Sequence, residues 1–330
     1  MININNGINV ISLFDGHSTG LLALDKANIK VNKYYCSEIE KYSEQISKNY
    51  FKNDNRIIRL GDITKINEDL LNKLPKIDLI LSGSPCQNLS RAGNNEGLKG
   101  KESSLFYEFI RILYWIKNNN NPNINFLQEN VQMKKCYENE ISKCLGVKPI
   151  VINSKLVSAQ NRKRLYWFNI DNFIYPKDKN IKLIDILEDV DISNYKYYKG
   201  IRIDPSIYKN AYKLIGRINN KLVITQATKK GWIEIKNGDG VNLQFPTSKT
   251  RRGRVINQKS STLDCNCDIC VFYNNILRKF TINELEKLQT LPIDYTCGVP
   301  YRSRIKSIGN GWTTDVIVEI LKQFKFDTYK

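Results

Sequence analysis

Apolar and polar positions follow one order through the first half of the chain. A short apolar run comes first, then a polar turn, then a stretch with helical spacing. Val10-Ile11-Ser12-Leu13-Phe14 reads as a strand, Asp15-Gly16-His17-Ser18-Thr19-Gly20 as a glycine-containing turn and residues 21–27 as a helix. Further apolar runs at 32–36, 56–60, 77–81 and 124–127 read as strands two to five. A sixth falls within 145–156, and 165–168 gives one more. Between strands four and five, apolar residues at 105, 106, 109, 110, 112, 113 and 116 give residues 105–117 the spacing of a helix. Strands alternating with helices predict an α/β fold: a doubly wound, mainly parallel sheet. Such sheets bind ligands beyond the carboxyl ends of their strands, so the residues there are the candidate site.

Those ends are rich in chemistry. The glycine turn after the first strand can bring backbone N–H groups close to a ligand. It is not a GxGxxG fingerprint, and no Walker A pattern occurs. Glu38 follows the second strand, about 20 residues beyond the turn, where a carboxylate either grips ribose hydroxyls or starts a helix. Asp62 follows the third, placed to accept from an adenine amino group or to cap what comes next. The fourth runs into Gly83-Ser84-Pro85-Cys86-Gln87-Asn88-Leu89-Ser90, and Cys86 is either a nucleophile or a small buried hydrophobe. A long loop, 87–103, holds Gly93, Gly97 and Gly100 with Arg91, Lys99 and Lys101, the composition of a lid. Glu129 and Asn130 end the fifth strand; a buried carboxyl there could donate a proton, or pair with a basic residue. Arg162 and Arg164, two apart on an extended segment, would point the same way and could hold a phosphate or a base oxygen.

From about 176 the pattern changes. Tyr195, Tyr197, Tyr198, Tyr208 and Tyr212 cluster, and Gly216, Gly231, Gly238 and Gly240 mark turns. This predicts a smaller region of short strands and loops over 176–275, with residues 276–330 returning to complete a catalytic domain begun by 1–175. In the smaller region, Lys229 and Lys230 precede Trp232, and Lys249, Arg251, Arg252 and Arg254 follow. Basic residues interleaved with aromatics suit phosphate and groove contact. Near the C-terminus, 307–312 reads as a second glycine turn that could close the ligand pocket, before a helix over 314–324.

Composition narrows the partner. The chain has 51 Lys and Arg against 33 Asp and Glu, a net charge of +18, which favours a polyanion, most simply nucleic acid. No apolar run is long enough to cross a bilayer, so no membrane is expected. Residues 1–6 lack the charged and apolar regions of a signal peptide, which points to the cytoplasm and to reduced cysteines. His17 is the one histidine, so a Cys–His hydrolase has a single candidate base. A zinc deaminase would need Pro-Cys-x-x-Cys, and Cys86 has no such second cysteine. Cys265, Cys267, Cys270 and Cys297 do not form two paired units of the structural-zinc type, and we expect free thiols and no metal.

Taken in order, these residues resemble the DNA (cytosine-5)-methyltransferases along nearly the whole chain. The matching motifs are Leu13-Phe14-Asp15-Gly16 with Gly20; Ser37-Glu38; Gly61-Asp62-Ile63; Gly83-Ser84-Pro85-Cys86-Gln87; Glu129-Asn130-Val131; Gln160-Asn161-Arg162-Lys163-Arg164; Arg251-Arg252-Gly253-Arg254 with Ser261-Thr262-Leu263; and Gly309-Asn310. Phe14-Asp15-Gly16 with Thr19-Gly20, and Ser104-Leu105-Phe106-Tyr107-Glu108, look closer to the de novo animal-type branch and to phage enzymes. His17 stands where the family usually has an aliphatic residue, and Gly311-Trp312 departs from its commoner small-residue ending.

The resemblance implies S-adenosylmethionine as cofactor and S-adenosylhomocysteine as product. Phe14, Asp15, Gly16, Gly20, Glu38, Ile39, Asp62, Ile63, Pro85, Leu105, Asn310 and Trp312 would form its pocket. Cys86 would be the nucleophile, Glu129 the proton donor with Asn130 orienting it, and Arg164 the ligand of the base oxygen or a phosphate, supported by Arg162. Double-stranded DNA would be the partner, touched by Gln87, Ser90, Arg91, Lys229, Lys230, Arg251, Arg252 and Arg254, with the target base flipped out. The oligomeric state stays open. Two rivals are an RNA (tRNA) cytosine methyltransferase and a non-catalytic DNA-binding relative. The sizeable basic region argues against the first, and the intact Cys86, Glu129 and arginines against the second.

Overall fold

The computed structural model describes residues 7–85, 103–266 and 268–326. They form two compact units, one of residues 1–153, 163–176 and 314–330, the other of 154–162 and 177–313.

The first unit is built on strands β1 (Ile8–Leu13), β2 (Val31–Ser37), β3 (Ile57–Arg59), β4 (Leu79–Ser82), β5 (Asn125–Val131), β6 (Ile150–Asn153) and β7 (Lys163–Phe168). Helices α1 (Thr19–Lys26), α2 (Lys41–Tyr50), α3 (Glu68–Leu71), α4 (Phe106–Asn119) and α5 (Lys135–Leu145) connect them. The sheet order is β3-β2-β1-β4-β5-β7-β6. Pairings among the first five strands are parallel, and β7 alone runs against its neighbours β5 and β6. The chain winds outward from β1 to β3 and returns to β4, so the order reverses between β1 and β4. That is the crevice where open α/β sheets place ligands.

Burial explains why these segments are strands. Every residue of β4 is buried, and in β1 all but Asn9 are. Near-continuous apolar runs are what a parallel sheet covered on both faces requires. In α4, Phe106, Phe109, Ile112, Leu113 and Ile116 form one buried face. That face meets Ile11, Ile80, Phe126 and Trp167 of the sheet in a single core. Cutting Phe109 back to Ala would cost about 3–5 kcal/mol.

The second unit holds two sheets. Strands β8 (Lys196–Tyr198) and β9 (Ile201–Ile203) precede helix α6 (Tyr208–Leu214). Strands β10 (Ile215–Ile218), β11 (Lys221–Thr225) and β12 (Trp232–Glu234) make a three-stranded antiparallel sheet. Strands β13 (Asp239–Asn242), β14 (Arg254–Ile256), β15 (Ile269–Tyr273) and β16 (Ile276–Lys279) join the first two in the order β14-β13-β15-β16-β9-β8. Helices α7 (Ile282–Leu288) and α8 (Tyr301–Asn310) follow. The chain then re-enters the first unit as α9 (Thr314–Leu321), where Asp315 pairs with Lys26 of α1.

Two expectations about the C-terminal part change. The return to the first unit comes at 314 rather than 276. Its cause is β16, which pairs with β15 on one side and β9 on the other and so stays in the second unit. The glycine turn expected at 307–312 is instead largely helix, with Gly309 and Asn310 closing α8. Gly309 serves close packing: a Cβ there would meet the carbonyl oxygen of Asp264 at 2.0 Å.

Candidate active site

Loops follow the carboxyl ends of β1, β2 and β3, and β4 runs into Gly83, Ser84 and Pro85 at the same edge. The one after β1 is tightly wound, with Phe14, Gly16 and Ser18 all in the left-handed region (φ 57°, 59° and 61°). Two of the three carry a side chain, so the surrounding structure must hold the turn. The buried Asp15 does so. The Tyr34 hydroxyl of β2 donates to its Oδ1 (2.5 Å), and the Ser18 hydroxyl to its Oδ2 (2.6 Å). Ser18 in turn shares a hydrogen bond with Ser47 of α2 (2.6 Å), which accepts from the Arg59 guanidinium of β3 (3.0 Å). Burial pushes the Asp15 carboxyl above its usual range against the pull of these donors, and pushes the Tyr34 phenol up as well. Sequence reasoning missed this chain of partners because Ser18, Tyr34, Ser47 and Arg59 lie on four different elements.

Glu38 takes the next step outward. Its Oε2 accepts the Gly16 N–H at 2.7 Å, and its Oε1 accepts the N–H groups of Ile39 and Glu40 at 2.8 and 2.7 Å. Burial raises its pKa while the three N–H groups oppose the rise. Ile39 beside it is 72% exposed, an apolar side chain turned to solvent. At the end of β3, Asp62 caps the 3-10 turn Ile63–Lys65, its Oδ1 accepting from the N–H and the hydroxyl of Thr64, both at 2.9 Å. These bonds hold its carboxyl below the usual range. The buried Ile63 packs in the core, and Leu105, half-buried, packs against it ahead of α4.

Ser84 ties β4 to β5. Its hydroxyl accepts from Gln128 Nε2 (2.8 Å) and Asn130 Nδ2 (3.2 Å), and its carbonyl accepts from the same Asn130 amide (3.2 Å). Asn130 also accepts the Val131 N–H at 2.8 Å, so its amide is fixed from both sides. The chain is described as far as Pro85. Cys86, Gln87, Ser90 and Arg91, like most of the glycine-rich loop, lie outside the described residues. Next along the edge, Glu129 Oε1 lies 3.2 Å from Arg164 Nε, both side chains mostly buried. Val131 faces Arg164 across β5 and β7, so the two charged groups are diagonal neighbours.

Arg162 does not share that position. It precedes β7, belongs to the second unit and donates to the carbonyls of Leu263 (2.9 Å), Gly309 (3.1 Å) and Gly311 (3.0 Å). Residue 163 begins the strand, so the alternation that would align Arg162 with Arg164 has not started. Asn310 and Trp312 also lie in the second unit. There too, Lys230 stands 4.0 Å from the Trp232 ring centroid and Arg251 4.5 Å from that of Phe245. Lys229, Arg251 and Arg254 are exposed and Arg252 is half-buried. Cys270 is a buried thiol of β15, pushed up to about 12 by burial, and Cys265 donates to Asn310 Oδ1 at 3.0 Å.

The profile of the C-5 cytosine-specific DNA methylase family matches residues 8–325. The chain belongs to this family. A DNA (cytosine-5)-methyltransferase of Arabidopsis thaliana, DRM2, is 40% identical over 119 residues, covering 33% of this chain and 19% of the plant protein. The orphan methyltransferase M.Rho11sI of Bacillus phage rho11s is 28% identical over 229 residues, covering 64% of this chain and 42% of its own. The chain thus aligns with less than half the length of either curated relative. Among solved structures, a DNA modification methyltransferase encoded within an E. coli prophage matches with a TM-score of 0.62 at 20% identity, over 96% of this chain and 98% of the other. The S. pombe Dnmt2 methyltransferase matches at 0.61 and 15% identity, over 96% and 97%. These likenesses establish the fold: α/β, with a mainly parallel central sheet and additional small sheets.

Proposed function

We propose that this methylase transfers a methyl group from S-adenosylmethionine to C5 of cytosine in double-stranded DNA. One observation carries the reading. The edge of one parallel sheet brings together the strained loop at Gly16, the carboxylate of Glu38, the pinned strand end that leads into Cys86, and the Glu129–Arg164 pair.

The residues of the first unit fit the cofactor. Glu38 has two oxygens and three N–H donors on them, so acceptor capacity remains for ribose hydroxyls. Asp62 keeps Oδ2 for an adenine amino group, and Ile39 offers an apolar face beside them. A Cβ at Gly16 would meet nothing within 4 Å, so the loop borders open space there. When bound, S-adenosylmethionine supplies the electrophilic methyl group and leaves as S-adenosylhomocysteine.

Cytosine C5 is too weak a nucleophile to take that methyl unaided. Cys86, as thiolate, adds to C6 and forms an S–C bond, and the displaced electron pair makes C5 enamine-like. Glu129 gives its proton to N3 as this charge develops, and Arg164 holds the base oxygen or a flanking phosphate. Once C5 carries the methyl group, its proton leaves to a base. The S–C bond then breaks, N3 returns its proton to Glu129, and Cys86 is released with 5-methylcytosine formed. A stacked base cannot be approached in this way, so the target is flipped out of the duplex. The basic residues around Trp232 and Phe245 serve the duplex around it.

The test is nucleoside mass spectrometry on random-sequence duplex DNA incubated with the protein and S-adenosylmethionine. The expected product is 5-methyldeoxycytidine. A methyl group on an exocyclic nitrogen, or none on DNA alongside transfer to tRNA, would overturn the reading.

A further inference from the structure

The catalytic scheme leaves unused an aromatic and basic cluster at the edge of the six-stranded sheet. β8 and β9 form an antiparallel hairpin in which Lys196 lies opposite Ile203 and Tyr198 opposite Ile201. Side chains alternate along a strand, so Lys196 and Tyr198 share the face of the two buried isoleucines. Tyr208 and Tyr212, one turn apart on α6, pack against Tyr198. The ring centroids are 6.1 Å apart for Tyr198–Tyr208, 5.0 Å for Tyr198–Tyr212 and 6.2 Å for Tyr208–Tyr212. Two ammonium groups cover this cluster: Lys196 Nζ is 4.9 Å from the Tyr208 centroid, and Lys199 Nζ 5.4 Å from that of Tyr198.

Tyr198 and Tyr208 lean on the second unit's apolar core, while Tyr212 is 57% exposed and both lysines are exposed. Among the described residues, neither lysine has a carboxylate partner and none of the three phenol hydroxyls is hydrogen-bonded. The flanking carboxylates are engaged elsewhere: Asp191 accepts the N–H and hydroxyl of Ser193, and Asp204 the backbone N–H groups of Ser206 and Lys279. The surface thus offers cations held on aromatic rings and hydroxyl donors, with no anion of its own.

We infer that this face is a second nucleic-acid contact, gripping the sugar-phosphate backbone of the duplex that carries the target base. Lysine and tyrosine side chains are ordinary partners of phosphate oxygens. A chain of net charge +18 is drawn to a polyanion first. The inference rests on DNA being the substrate. It adds a contact distinct from the basic residues near Trp232 and Phe245 and carries no sequence preference of its own.

The test is equilibrium binding of the full chain to two fluorescent duplexes of unrelated sequence across a salt series. Lys196→Glu with Lys199→Glu should weaken both complexes to the same degree and lower the slope of log affinity against log salt by about two. Lys196→Arg with Lys199→Arg should restore both, which a misfolded protein would not do. Unchanged affinity and slope in the glutamate variant would overturn the inference, as would a loss confined to one duplex. Methyl transfer by the unaltered protein is measured alongside. If it fails while the lysine effect holds, the reaction falls and the contact stands; the opposite pattern removes the contact only.

Discussion

The carboxyl edge of the mainly parallel sheet and the basic residues of the second unit use polar groups in opposite ways. At the edge, several polar groups hold one another in a chain. Arg59 fixes Ser47, Ser47 fixes Ser18, and Ser18 with Tyr34 fixes Asp15 under a loop of left-handed residues. In the second unit, Lys196, Lys199, Lys230 and Arg251 rest on aromatic rings and are exposed to solvent. The difference matches two tasks. Bond-making needs groups fixed within a fraction of an ångström, whereas gripping a polyanion needs charge that can follow a backbone.

On that contrast, changes at the edge act steeply and ignore salt, and changes at the basic residues of the second unit act mildly and follow it. The largest effect belongs to Glu129→Gln, which keeps shape but cannot give up a carboxyl proton. Single-turnover methylation should slow by about 10²–10⁴-fold, with cofactor affinity little changed. A rate within twofold of the unaltered protein would remove Glu129 from the chemistry. Tyr34→Phe deletes one hydroxyl, which touches no reacting atom. Leaving the buried Asp15 short of a donor costs about 1–3 kcal/mol of folding stability, and the loosened loop should weaken S-adenosylmethionine binding in calorimetry while the rate at saturating cofactor is kept. A rate loss without an affinity loss would contradict a positioning role. Lys230→Gln is the mildest: a few-fold loss of DNA affinity at low salt that vanishes at high salt. A salt-independent loss would move Lys230 into the fixed class.

The edge should also show itself in stability against pH. Burial lowers His17 from 6.5 to about 4. The unfolded chain takes up a proton below 6.5, and the folded one does not until about 4. The stability tied to neutral His17 is therefore complete above 6.5 and lost as pH falls toward 4, about 3 kcal/mol in all. In urea titrations, His17→Ile should flatten this acid limb; an unchanged limb would assign it to other groups.

Much of this was legible in the chain itself. Strands β1 and β4 are near-continuous apolar runs, and Glu38 and Asp62 follow the ends of β2 and β3, whereas β5 runs past Glu129 to Val131. Less legible was whatever depends on partners distant in sequence. Arg162 looked like a companion of Arg164, yet its bonds go to the carbonyls of Leu263, Gly309 and Gly311, over a hundred positions away. Ser307-Ile308-Gly309-Asn310 carries the composition of a turn but closes a helix. Gly309 answers to the backbone of Asp264, which no local rule can anticipate.

The most direct test of the central claim uses duplex DNA in which 5-fluorocytosine replaces cytosine in one strand. Fluorine at C5 cannot leave as a proton does, so a thiol that has added to C6 stays bonded after methyl transfer. With S-adenosylmethionine present, the account predicts a protein–DNA adduct that survives denaturation, maps to Cys86 and is absent from Cys86→Ala. Methylation of ordinary cytosine with no trapped adduct, or an adduct that persists in Cys86→Ala, would contradict it.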